Sequence, residues 1–294
     1  RCRSLVIASG ACNVATTPVF ASEVPNSIAS LTPLTYKRPS DLPDGNVLVV
    51  GGSATGIQLA HEVQESGRQV TLSIGEHVRA PRNYRGRDIK WWMDAAGLLD
   101  LRYDEVDDVA RARRTPSLQL AGRASPNLFD LNTLAKAGVQ VTGRLSTIRD
   151  SNALFSGALN NVCVAADLKM NRLLDTLDDW AREARIEDQV LPSHRFEPTW
   201  VAKKPRLSLD LTSGEIKTIL WATGYRPDYS WLHLPVLDRK GHLRHSGGVV
   251  DLPGIYAMGL PFMRRRKSTL IDGIGDDANE LADHMLELFS RRAA

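Results

Sequence analysis

Residues 46–63 read NVLVVGGSATGIQLAHEV. The apolar run Val47–Val50 has the pattern of a parallel strand buried on both faces. A tight turn, Gly51-Gly52-Ser53, follows it. A helix then begins near Thr55 and runs to about Ser66, with Gly67 to close it. A second strand is predicted over Gln69–Ile74. Strand, glycine turn, helix and strand in such close order set a helix N-terminus, with its unpaired N–H groups, at the end of a sheet.

A dinucleotide-binding turn needs a tight bend, a small residue where backbone nears the pyrophosphate, and a small residue where helix packs on strand. Gly51 supplies the bend and Gly56 the close packing. Ser53 stands at the middle position, giving G-x-S-x-x-G. Gly52, Ala54 and Thr55 complete the candidate site. The ordinary alternative is a purely structural turn. A hydrolase elbow, G-x-S-x-G, is excluded because its fifth residue would be Thr55. No tyrosine is followed by a lysine four residues on, so the Tyr-x-x-x-Lys pair of short-chain dehydrogenases is missing.

The second strand bears on cofactor choice. Binders of NAD usually end it with an acid that accepts the ribose 2′-OH. Here the position holds Ile74, and Arg79, Arg82, Arg85 and Arg87 follow. Guanidinium groups suit a 2′-phosphate. NADPH is therefore expected over NADH, with Arg79 and Arg82 on the phosphate. A solvated basic loop is the alternative.

The 294 residues carry 37 bases against 34 acids and are 43% hydrophobic, an ordinary globular composition that gives no case for nucleic acid. No apolar run reaches the roughly 20 residues of a membrane helix. Three cysteines without a CxxC point to a reducing cytoplasm. A small-molecule substrate is the expected partner. Residues 11–45 are proline-spaced and read as irregular. Helices are predicted over 87–98, 103–114, 128–137, 162–184 and 269–289, and strands over 5–8, 207–211, 216–222 and 255–258. Two or three short strands fall within 139–157. Strands alternating with helices make an α/β protein with a parallel sheet. His242 and His245 sit in a turn with no third ligand, so no metal site is expected. No catalytic acid, base or nucleophile set can be assembled from spacing.

Two further stretches, "VIASG" (6–10) and "LWATGY" (220–225), each run from an apolar strand into Ala-Ser/Thr-Gly. A third, "GIYAMGLP" (254–261), ends a strand at Gly259. In this order around the central turn, they resemble the flavin-containing monooxygenase-like proteins of the pyridine nucleotide-disulfide oxidoreductase-like superfamily. The resemblance covers essentially the whole chain. It implies a Rossmann-type NAD(P) domain inserted in an FAD-type domain. Residues 1–45 would be the FAD-type remnant and connecting segment, 46–215 the NAD(P) domain, and 216–294 the return to the FAD-type domain. It also implies that Ser9, Gly10, Ala222, Thr223, Gly224 and Gly259 line the flavin–nicotinamide junction.

The family's FAD fingerprint, G-x-G-x-x-G, is absent. It is expected upstream of Arg1, so FAD belongs to the longer protein and is not expected to stay on these residues alone. Aligned on Tyr36, the signature F-x-G-x-x-x-H-x-x-x-Y meets Asn26, Ile28 and Thr32, and Leu260 stands where an aspartate usually follows the last glycine. The expected function is hydride transfer from NADPH to FAD and on to oxygen or another acceptor. The alternative is a dinucleotide-binding module without turnover.

Overall fold

The computed structural model describes residues 2–120 and 129–293. The chain forms two compact units, one built from residues up to Val14, Met93–Thr115 and Tyr225 onward, the other from Ala15–Trp92 and Pro116–Gly224.

The second unit contains the glycine turn. Its sheet has five strands in the spatial order Ala29–Leu31, Ile216–Trp221, Asn46–Val50, Val70–Ser73 and Gln140–Thr142, and every pairing is parallel. Successive residues of the central strand point to opposite faces. Val47 and Val49 face a core with Ile57, Ala60 and Val63 of helix Ala54–Glu65, and with Leu134, Leu159 and Cys163. Leu48 and Val50 face another with Ile148, Phe155 and Leu209. These come from a three-stranded antiparallel sheet, Leu145–Arg149, Asn152–Phe155 and Ser208–Asp210. The continuous apolar run is thus explained by burial on both sides.

Four features depart from expectation. Ala29–Leu31 is a strand although its neighbourhood is proline-rich. It pairs with Thr218–Leu220 at the sheet edge, where proline can be tolerated. Ile216–Trp221 belongs to this same sheet, beside the central strand, rather than to a C-terminal return. The expected helix over 103–114 is split into a 3-10 turn, Tyr103–Glu105, and a short helix, Val109–Arg113, with Asp108 capping the latter through Arg111 N. The long helix, Leu159–Glu183, begins earlier than its periodicity indicates and buries Leu159, Cys163, Ala166, Met170, Leu174, Leu177 and Ala181 along one stripe.

The first unit carries a sheet in the order Leu5–Ile7, Ile255–Ala257, Val249–Val250, His245–Ser246. Leu5–Ile7 runs parallel to Ile255–Ala257 at the edge, with Leu5 39% and Val6 41% exposed. Helix Ile274–Ala293 contributes Leu281 and Met285 to this unit's core. The basic run Arg264–Lys267 is largely held by acids. Arg264 reaches Glu280 at 2.6 Å, Arg265 reaches Asp277 at 2.7 Å, and Lys267 reaches Asp100 at 2.7 Å. No described helix is long and apolar enough to cross a membrane, and the described residues contain no cluster of three metal-ligating side chains.

Candidate functional site

The glycine turn sits where the chain order of the parallel sheet reverses, at the carboxyl ends of the strands. This is the place where open α/β sheets bind ligands. Each glycine here is required by space. Gly51 has φ +126°, and an added Cβ would stand 2.2 Å from the Ala222 carbonyl oxygen. At Gly52 it would stand 2.8 Å from Ile74 Cγ2, and at Gly56 1.8 Å from the Gly51 carbonyl oxygen. Gly51 N–H is tied to Ser73 O at 2.9 Å. The turn therefore packs backbone against backbone.

Ser53 is the N-cap of the helix, yet its side chain makes no capping hydrogen bond. A capping serine ordinarily accepts from an N–H of the first turn. The first intrahelical bond is Ile57 N to Ser53 O, 3.1 Å, which leaves the N–H groups of 54–56 ahead of it. Uncapped N–H groups, a serine hydroxyl and a helix dipole together make a site suited to an anion.

The structure corrects the expectation for Arg79. It is 2% exposed and bonds Asp130 at 2.6 Å, Asp167 at 2.8 Å and the Glu197 carbonyl at 2.9 Å. Asp130 also caps helix Leu131–Lys136 through Thr133 N. The buried Asp130 and the part-buried Asp167 hold this guanidinium inside the unit, so it is not presented to a ligand. Arg82 is half-exposed and paired with Asp88 at 2.8 Å. Arg85 is likewise buried and reaches Asp178 at 2.9 Å.

Two residues at the turn are not legible in the sequence. Arg144, far along the chain, lies exposed beside Gly75, its Cδ 3.4 Å from where a Cβ would stand. Gln119 is 2% exposed and donates from Nε2 to the Gly52 carbonyl, while its N–H donates to Val78 O at 2.9 Å. Only the pairing of Val78 with Leu118 brings it there, and no motif marks such a bridge.

Ala222, Thr223 and Gly224 lie in the same unit as the glycine turn. Thr223 Oγ1 donates to Thr16 O, and Thr16 N donates to Gly224 O at 2.8 Å. Ser9, Gly10 and Gly259 lie in the other unit. There Met258 N donates to Ile7 O at 2.9 Å, so both strands reach the same carboxyl edge. Asn13 Nδ2 fixes the Ser9 carbonyl at 3.0 Å. Tyr36 donates to Glu62 of the helix at 3.1 Å, and burial followed by that bond raises its pKa. Burial of Cys163 pushes its thiol up to about 12, which makes it a packing residue.

No family model matches the chain. It is 28% identical over 288 residues to a Geobacillus kaustophilus protein described as an uncharacterized oxidoreductase CzcO-like, covering 96% of this chain and 64% of that one. It is 24% identical over 284 residues to an uncharacterized oxidoreductase CzcO of Bacillus subtilis, covering 96% and 65%. The chain thus spans just under two thirds of the length of these relatives. Among solved structures, a flavin-containing monooxygenase from Stenotrophomonas maltophilia superposes with a TM-score of 0.56 at 14% identity, covering 97% of this chain and 62% of that one. The chain has a mixed α/β fold with a parallel sheet, the fold it shares with that flavin-containing monooxygenase, and the sequence relatives it matches are described as oxidoreductases.

Proposed function

We propose that this chain is the NAD(P)-binding unit, together with the C-terminal part of an FAD-type domain, of a flavin-dependent oxidoreductase. The observation that supports this most is the uncapped helix N-terminus at a turn whose three glycines leave no room for a side chain. Gly51, Gly52 and Gly56 bring backbone up to the pyrophosphate. Ser53, Ala54 and Thr55 offer it N–H groups and a hydroxyl. Ala222 packs beneath the turn.

NADPH is favoured over NADH. Ile74 supplies no carboxylate for a ribose 2′-OH. Arg144 stands exposed beside Gly75, and Arg82 lies further along the same loop. As the family resemblance implies, Ser9, Gly10 and Gly259 are proposed as flavin-binding turns, and Ala222, Thr223 and Gly224 as a nicotinamide-binding turn. FAD, when bound in the longer protein, supplies the hydride acceptor and the onward reduction of oxygen or another substrate. This chain's residues contribute binding and orientation rather than acid–base chemistry. A small-molecule substrate and a cytoplasmic setting complete the reading.

The test is anaerobic mixing of the full protein, FAD and NADPH, followed by visible absorbance. Loss of the flavin band at a rate above that of free FAD with NADPH supports the oxidoreductase. Saturable NADPH binding without bleaching would replace it by a binding module without turnover. Absence of NADPH binding would overturn both.

A further inference from the structure

Gly52 presents a physical problem. It is glycine because Ile74 leaves no room for a Cβ, not because its φ is positive. Glycine admits more backbone orientations than other residues, so the orientation of the Gly52–Ser53 peptide depends on the contacts made by its carbonyl and N–H. That peptide is trans; its carbonyl and its N–H therefore point in opposite directions. Whatever holds the Gly52 carbonyl inward also aims the Ser53 N–H outward, toward the ligand side of the turn.

Gln119 is the group that holds it. Its Nε2 donates to Gly52 O, and its own backbone is anchored to Val78. Its Oε1 is buried and, among the described residues, has no hydrogen-bond partner. A buried amide with an orphaned oxygen is destabilising. A methionine would fill the same space without that cost. The amide is thus retained for the one bond it makes.

We propose that Gln119 is a positioning residue for anion binding: by locking the Gly52 carbonyl it pre-orients the Ser53 N–H toward the pyrophosphate of the dinucleotide. The inference rests on the dinucleotide reading above and adds a residue that touches no ligand. Its effect falls on the phosphate contact and spares the adenosine. ADP and adenosine are therefore the discriminating probes.

The experiment uses the full protein with 15N-labelled serine, titrated with ADP and with adenosine, alongside the near-isosteric variants Gln119→Met and Gln119→Glu. In the wild type the Ser53 amide resonance is expected to shift downfield with ADP and to stay within line width with adenosine. Both variants should lose about tenfold or more in ADP affinity and keep adenosine affinity within about twofold; Gln119→Met should melt close to the wild type, and Gln119→Glu, which buries an unpaired carboxylate, below it. Equal ADP affinity in wild type and variants overturns the role of Gln119 while leaving the dinucleotide site standing. A wild-type Ser53 amide indifferent to bound ADP overturns it even if neither variant folds. Absence of any ADP binding by the wild type removes the dinucleotide reading, and this inference with it.

Discussion

Gly10 and Gly56 both follow parallel strands, Gly10 in the first unit and Gly56 in the second. An added Cβ at Gly56 would stand 1.8 Å from the Gly51 carbonyl oxygen, whereas at Gly10 it would meet nothing within 4 Å. Gly10 is needed for its φ of +81° alone. One turn is built by backbone packed on backbone, the other by a conformation in open space. The first kind of turn holds the shape of a site without a ligand. The second depends on what is brought against it.

The largest expected effect is therefore at Gly56. Gly56→Val should cost about 5 kcal/mol or more, because backbone must move. Dinucleotide binding and the folded second unit should fail together in a melt and a titration. Gly10→Ala should cost about 1–2 kcal/mol, the left-handed penalty. Comparable melting shifts for the two would erase the contrast.

The ion pairs give a second contrast. Arg79→Leu leaves the buried Asp130 without its cation, while Asp167 keeps its bonds from Thr199, and should cost about 3 kcal/mol in urea unfolding. Lys267 pairs with Asp100, which is half-exposed. Lys267→Ala should cost at most about 1 kcal/mol. An Arg79 variant as stable as wild type, with a weakened NADPH site, would return that residue to the ligand.

The amino-acid pattern alone carries part of these contrasts. The sheet's central strand, its turn and its helix follow from Val47–Val50 and from glycine spacing, because two-sided burial leaves a continuous apolar run. The destination of Ile216–Trp221 is not readable in the same way. Its apolar run suits either unit, and only its pairing with Asn46–Val50 decides. Arg79 reads as a surface arginine because sequence does not show that Asp130 and Asp167, 51 and 88 residues away, converge on it. Gln119 and Arg144 reach the turn through contacts far apart in the chain, for which no local pattern exists.

His245 offers a smaller effect, confined to the first unit. Burial, and then the nearby Arg113, lower its pKa to about 4, against the opposing pull of Asp251. The unfolded chain, with an ordinary histidine pKa near 6.5, binds more protons between pH 6.5 and 4. The stability His245 contributes is complete above about 6.5 and is lost as pH falls toward 4, at most about 3 kcal/mol. The checking measurement is the unfolding free energy of wild type minus that of His245→Asn across this range. A flat difference would contradict it.

Cofactor discrimination involves a small free energy, about 1.4 kcal/mol for a tenfold change. Arg144→Ala should weaken NADPH about tenfold, as expected for loss of a charge-assisted contact, and leave NADH nearly unchanged. Arg82→Ala should act in the same direction and less strongly, because Asp88 already engages that guanidinium. Equal weakening of both cofactors in competition titrations would reduce the arginines to a general phosphate field.

The turn from Gly51 to Gly56 is proposed to receive the dinucleotide. Backbone hydrogen exchange of the full protein, with and without saturating NADPH, tests it most directly. Exchange should slow at the amides of 52–56 and at Ser73–Gly75, with little change along helix Leu159–Glu183. Saturable binding with no protection at 52–56 would contradict it.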